Sequence, residues 1–186
     1  PDRPQRRIYS LLGHHYASLT RCDDQAQKIY EEALEDSPMD PVILIMLARA
    51  LHAADRRDDG AEEIYRHAFP IADSEVKQQL GTILAELRIE AGNFSEDTLQ
   101  YLTIMGRPTS GPLVSSYDEA LTNCFLATGR RGELAQQAYF MLFEKTEDTP
   151  ELSRRLVELL AEITKERGVV PESGSIELRV YNKLFE

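Results

Sequence analysis

Apolar residues recur at three- and four-residue intervals along most of the chain, broken by short polar clusters containing Asp, Gly or Pro. That periodicity predicts a succession of amphipathic helices. Ile8, Leu11, Leu12, Tyr16 and Leu19 predict the first, from Pro4 to about Leu19. Asp23 and Asp24 supply an N-cap and a first-turn acid for the second, whose Ala26, Ile29, Tyr30, Ala33 and Leu34 share one face before Pro38 ends it. Asp40-Pro41 is a capping residue with proline at the first helical position. The helix it opens is apolar nearly all round from Val42 to Leu51, as expected of one packed between two neighbours. Asp58-Asp59-Gly60 leads into a fourth helix closed by Pro70, and Ser74 caps a fifth carrying Val76, Leu80, Ile83, Leu84 and Leu87. The stretch 106–112, Gly-Arg-Pro-Thr-Ser-Gly-Pro, is the clearest breaker. Beyond it, Leu121 and Phe125, then Ala135, Tyr139 and Leu142, continue the helical spacing. Thr149-Pro150 opens a last helix with Leu152, Leu156, Leu159, Leu160 and Ile163 on its buried side, ended by Gly168.

The pattern also repeats. Leu12-Gly13-x-x-Tyr16 with Ala26-x-x-x-Tyr30-x-x-Ala33 is answered thirty-five residues later by Leu47-Ala48-x-x-Leu51 with Ala61-x-x-x-Tyr65-x-x-Ala68. Leu121-x-x-x-Phe125 with Ala135-x-x-x-Tyr139-x-x-Leu142 keeps the same internal interval. These motifs resemble the tetratricopeptide repeat, a helix–turn–helix unit of nearly this period. The resemblance implies an all-α fold, a right-handed α-α superhelix of about four helix–turn–helix repeats plus a C-terminal capping helix. The repeats fall at about 6–38, 41–70, 74–106 and 115–147, and the capping helix at 150–167, in an array spanning 1–168. Small Ala26 and Ala33 let paired helices approach, and Tyr30 fills the space between neighbours.

The third repeat departs from the others. Leu80-Gly81-x-x-Leu84 stands as its first-helix signature and Asp97-x-x-x-Tyr101-x-x-Ile104 as its second. The interval between them is three residues longer, and Asp97 replaces a small apolar residue. The capping helix offers a polar outer face through Glu158, Glu162, Lys165 and Glu166, which a terminal element of an array needs. In the tail 169–186, Ile176, Leu178 and Val180 alternate with polar residues as in a short strand. Such a strand packs on the last helices, pairs with another chain or opens a further domain; the first is the expectation.

At 186 residues the chain can bury roughly 70% of its unfolded surface, so it needs neither disulfide nor metal to fold. Cys22 and Cys124 have no metal or redox spacing and suit a reducing, cytoplasmic setting. Net charge −11 argues against a general nucleic-acid binder. The apolar run Val42–Ala48 is too short to span a membrane. The chain opens Pro1-Asp2-Arg3 rather than with Met, as expected of a piece of a longer protein.

Catalytic signatures are missing: no Gly-rich phosphate loop, no G-x-S-x-G, no H-E-x-x-H. Adjacent His14 and His15 point to different faces of a helix, and His52 and His67 lie in different helices. No enzymatic role, cofactor or metal is expected. Arg56-Arg57 and Arg130-Arg131 fall at inter-helix turns, where compensation of helix C-termini explains them.

The tetratricopeptide resemblance implies that first helices line a concave groove and that their outward positions meet a ligand. Those positions are Arg7, Ser10, His14 and Ser18; then Ile45, Arg49, His52 and Ala53; then Glu75, Gln78, Thr82 and Glu86; and in the fourth repeat Glu119, Asn123 and Leu126. The groove is expected to run from basic or neutral to acidic. Chaperone-binding members of the family grip a terminal carboxylate with Lys, Asn and Arg. Here Ser10, His14, Met46, Glu75 and Gln79 stand at the matching positions, so that mode is not expected. The related half-repeat arrays of RNA processing carry a tryptophan signature, and this chain has no Trp.

The expected function is therefore a protein–protein interaction module or adaptor holding a peptide or protein segment. The alternatives are a self-assembling scaffold, hence a homo-oligomer, or a regulatory domain excised from a larger bacterial-type protein.

Overall fold

A computed structural model of the chain describes residues 3–114, 116–145 and 150–167. These are all-α, with no strand among the described residues. The helices are α1 (Arg3–Ser18), α2 (Asp24–Asp36), α3 (Pro41–Ala53), α4 (Asp59–Ala68), α5 (Ser74–Glu90), α6 (Glu96–Met105), α7 (Tyr117–Ala127), α8 (Glu133–Lys145) and α9 (Pro150–Arg167). Short 3-10 turns follow α4 at Phe69–Ile71 and precede α7 at Pro112–Val114. The tail expected to form a strand, Thr149 and Gly168 lie outside the described residues. No described helix is long and apolar enough to cross a membrane.

The chain divides into two compact units: residues up to 93 with 100–106, and 94–99 with the described residues from 107 on. In the first, α1 packs on α2 and α3, α2 on α3, α3 on α4, and α4 on α5. Gly81 of α5 faces Phe69 and α6: a Cβ added there would lie 3.4 Å from the Phe69 ring, 3.6 Å from the Tyr101 carbonyl and 3.7 Å from Ile104, all ordinary contact distances. The Phe69 and Tyr101 rings meet edge to face, 4.9 Å apart. In the second unit α7 packs on α8 and α8 on α9. Its core is Ala135, Tyr139, Leu142, Leu156, Val157, Leu160 and Ile163, with Phe125 and Phe140 against it.

Capping fixes where helices begin. Asp23 accepts from the N–H groups of Gln25 and Ala26, Asp40 from Val42 and Ile43, and Asp58 from Ala61. Each satisfies donors that the first helical turn leaves over. For α5 the cap is Asp73, accepting from Val76 N–H, and not Ser74, which is already helical.

Four turns share one geometry. Thr20, Asp55, Gly92 and Gly129 have positive φ, at 50°, 49°, 65° and 66°. After each, the next N–H reaches back five residues: Arg21 to Tyr16 O, Arg56 to Leu51 O, Asn93 to Arg88 O and Arg130 to Phe125 O, at 2.8–3.1 Å. The positive-φ residue's own N–H reaches back three, to Ala17, His52, Ile89 and Leu126. This pair of bonds is the Schellman closure, which absorbs free carbonyls at a helix C-terminus. Glycine suits the left-handed position; Thr20 and Asp55 hold it without that freedom.

Measured from those turn residues, the four repeats superpose in sequence. Six residues on stand Ala26, Ala61, Thr98 and Ala135, all buried. Ten residues on stand Tyr30, Tyr65, Leu102 and Tyr139, all fully buried. Seven residues before the turn come Gly13, Ala48, Ala85 and Thr122, also buried. The third repeat is thus built on Leu84-Ala85-x-x-Arg88 and Thr98-x-x-x-Leu102-x-x-Met105. The expected signatures at Leu80-Gly81 and Asp97-Tyr101-Ile104 are out of register, by one helical turn and by one residue. In the corrected register Leu84 to Thr98 spans the same interval as Leu12 to Ala26, so the interval within the third repeat is no longer than in the others. Ser95 stands where Asp23 and Asp58 do, and its Oγ accepts from Thr98 N–H at 3.4 Å.

The tyrosines tie each second helix to its turn. Tyr30 OH donates to Arg21 O at 2.8 Å, Tyr65 OH to Arg56 O at 2.8 Å, and Tyr139 OH to Arg130 O at 2.6 Å.

Two measurements check this packing. Leu102→Ala is expected to cost ~2–5 kcal/mol by leaving a cavity, while Asp97→Ala, at an exposed position, shifts stability by less than about 0.5 kcal/mol. Denaturant titrations giving the reverse order would restore the Asp97–Tyr101 register. Burial pushes the Tyr30 and Tyr65 phenols up to about 12, against about 10 in an unfolded chain. Their folded-state values are raised, so this stabilisation is fully present below pH ~10 and is lost as pH rises toward ~12. Melting temperatures followed from pH 9 to about 12 should fall, and less steeply in Tyr65→Phe.

Candidate partner-binding face

The expected binding residues of the first three repeats lie on α1, α3 and α5, all in the first unit. Aligned on the turns, Ser10, Ile45 and Thr82 are equivalent, ten residues before the positive-φ residue. His14, Arg49 and Glu86 are equivalent, six before it. Glu119 and Asn123 hold the same two positions on α7 in the second unit. His52 is equivalent to Leu126, and Ala53 to Ser18. Glu75 and Gln78 fall outside these rows; Gln79 stands at the position of Arg7. The side chain of Arg7 is outside the described residues.

The side chains differ in what they offer. His14 is exposed, and its Nε2 lies 3.0 Å from Oδ2 of Asp40. Asp40 uses Oδ1 to cap α3, so His14 stitches α1 to the start of α3. Ser10 and Ile45 are half-buried. Arg49 and His52 are exposed, and Arg49 makes no ion pair among the described residues. Arg49 and His52 lie three residues apart and Ile45 four before Arg49, one face of α3. Thr82 is half-buried and its hydroxyl donates to Gln78 O at 3.0 Å, while Glu75 and Gln78 are exposed.

Glu86 departs from the expectation of an open-face residue. It is only 8% exposed, and Arg57 Nη2 lies 3.0 Å from its carboxylate. Arg57 also holds Asp55 at 3.1 Å and reaches Glu90 at 3.9 Å. The acidic end of the face is therefore weaker than the sequence implies. A second pair, Arg88 with Glu62 at 2.7 Å, joins α5 to α4 nearby.

The arginine pairs at the turns thus do more than compensate helix termini. Arg56 reaches the capping Asp58 at 2.6 Å, and its raised pKa follows from that hydrogen bond. Hydrogen bonding to Asp55 leads the causes that raise Arg57. In the second unit Arg130 pairs with Glu96, and Arg131 with Glu162 at 3.2 Å. Arg57 and Arg131 are equivalent, each two residues past a positive-φ residue and each reaching the next first-type helix.

Chemistry beyond binding has few candidates. Among the described residues no group of three His, Cys, Asp or Glu side chains is arranged to hold a metal ion. Cys124 is buried, which pushes its thiol up to about 11 and keeps it protonated and unreactive. Cys22 is half-buried, with Sγ 3.8 Å from Thr20 O.

No protein-family model matches the sequence, and no curated protein matches it either.

Removing Arg57 tests the buried pair. Arg57→Met leaves the Glu86 carboxylate buried without its partner, and is expected to cost ~1–3 kcal/mol. The penalty falls below that of a fully buried pair because Arg57 is 40% exposed. Glu86→Gln should cost less than Arg57→Met in the same denaturant titration, since no buried charge is left over.

Proposed function

We propose that this chain is a protein–protein interaction module: a right-handed superhelical array of tetratricopeptide-like hairpins that takes a peptide or protein segment on the outward faces of its first-type helices. One observation carries the reading. Four turns of identical bonding are each followed, at fixed intervals, by a small and then a large buried residue. A sequence that rebuilds one hairpin at this spacing stacks its units and presents each first-type helix at equivalent positions. The chemistry on those positions then decides what binds.

On α3 that chemistry is a half-buried isoleucine beside an exposed arginine and histidine. Such a set suits a segment carrying an apolar side chain for Ile45 and a carboxylate one or two residues away for Arg49. The guanidinium can grip a carboxylate with two parallel hydrogen bonds. His14 is already engaged by Asp40 and Glu86 by Arg57, so Arg49 sets the orientation of the ligand.

The test replaces Arg49 and His52 together by glutamate. A partner captured through a photo-crosslinker at position 49 should bind the double variant at least about tenfold more weakly. The circular-dichroism spectrum and melting temperature should stay unchanged, because both residues are exposed. Unchanged affinity would place the site off this face.

A further inference from the structure

A second surface follows from comparing α1 with the helices equivalent to it. Twelve and nine residues before the positive-φ turn residue, α3 has Ile43 and Met46, α5 has Leu80 and Ile83, and α7 has Tyr117 and Ala120. All six are buried. In α1 the same two positions are Ile8 and Leu11, which are 54% and 72% exposed. His15, on the same stripe, is exposed where Ala50 and Cys124 are buried.

The structure shows what covers this stripe when it is covered. On α3 it rests against the preceding hairpin: a Cβ added at Gly13 of α1 would lie 2.9 Å from Cδ1 of Ile43 and 3.2 Å from Cβ of Ala33 in α2. Ile43 therefore enters a gap left by small residues on neighbouring helices. A partner of α1 needs the same feature, a glycine or alanine opposite Ile8.

Charge narrows the partner further. α1 carries Arg3, Arg6, Arg7, His14 and His15 and no acidic residue, in a chain of net charge −11. Of the two helices that meet Ile43 of α3, α2 is the acidic one, with Asp24, Glu31, Glu32, Glu35 and Asp36 against one Lys28. A second molecule offering its own α1 would set basic against basic, which disfavours a symmetric pair. We propose that the Ile8–Leu11 face of α1 docks an acidic amphipathic helix of another protein, one presenting a small residue to Ile8 as Gly13 and Ala33 do to Ile43. This surface is distinct from the Ile45–Arg49–His52 face and independent of what binds there.

The probe is a peptide of residues 23–36, the α2 sequence, held helical by a side-chain staple and titrated into the full 15N-labelled chain. Saturable shifts at the amides of Ile8, Leu11 and His15 are expected, and Leu11→Glu should weaken binding at least about tenfold. Leu11 is mostly exposed, so that variant is expected to keep its spectrum elsewhere. Four results would overturn the proposal: no shifts at about 1 mM peptide; shifts confined to α3 and α5; equal binding of a peptide with lysines in place of its acids; or shifts at Ile8 and Leu11 on concentrating the protein alone, which would name a second copy as the occupant.

Discussion

A tyrosine hydroxyl donating to a backbone carbonyl nine residues earlier is the contact on which this architecture turns. The Schellman closure settles the carbonyls of the helix that ends, but the chain must then reverse through a residue of positive φ. The carbonyl just past that residue points into the gap between the two helices. Tyr30, Tyr65 and Tyr139 satisfy it while their rings fill the gap. A buried acceptor left unmet costs ~1–3 kcal/mol, so the hydroxyl and the turn stabilise one another. The buried small residue four positions before each tyrosine sets how closely the helices can approach. Thr98 and Leu102 show the limits of the scheme, since the third repeat keeps both positions buried and gives up the tyrosine hydroxyl.

An acidic chain must also place its few cations with care. Aspartates do structural work at helix starts, where backbone N–H groups favour negative charge. Several arginines then return the charge at the turns: Arg21 to Asp23, Arg57 to Glu86, Arg130 to Glu96 and Arg131 to Glu162. Most of these pairs are exposed and contribute little to stability. Arg57–Glu86 differs, because the carboxylate is withdrawn from water and must be met. Its value is positional: it fixes the α3–α4 turn against α5. After this neutralisation Arg49 remains as an exposed guanidinium with no ion pair among the described residues.

The all-α fold was legible in the sequence because the apolar spacing and the capping aspartates are chemically specific at each position. The third repeat was misread for a physical reason. Leu80 and Leu84 are both buried on α5, one turn apart, so amphipathic spacing cannot say which is equivalent to Leu12. Gly81 beside Leu80 copied the letters of Leu12-Gly13, but a Cβ at Gly81 would meet only ordinary contacts, from 3.4 Å outward, whereas one at Gly13 would lie 2.9 Å from Ile43. What the repeats preserve is distance from a left-handed turn residue, and Thr20 and Asp55 disguise that residue in the first two. Glu86 was placed in the open for a similar reason. Its partner lies twenty-nine residues away, and spacing along one helix carries no trace of it.

Packing constrains two neighbouring residues of each first-type helix very differently. Seven positions before each turn, Gly13, Ala48, Ala85 and Thr122 are small and buried, because another helix lies against them. One position later, His14, Arg49, Glu86 and Asn123 vary freely in charge and size. Successive residues on a helix are separated by roughly 100° around its axis. The first row therefore faces the neighbouring helix, while the second is exposed at His14 and Arg49 and buried at Glu86, where Arg57 meets it. Packing forbids large side chains in one row and admits unlike ones in the other. Each hairpin can therefore keep its packing while the residue in that second row changes, as the four unlike residues there show.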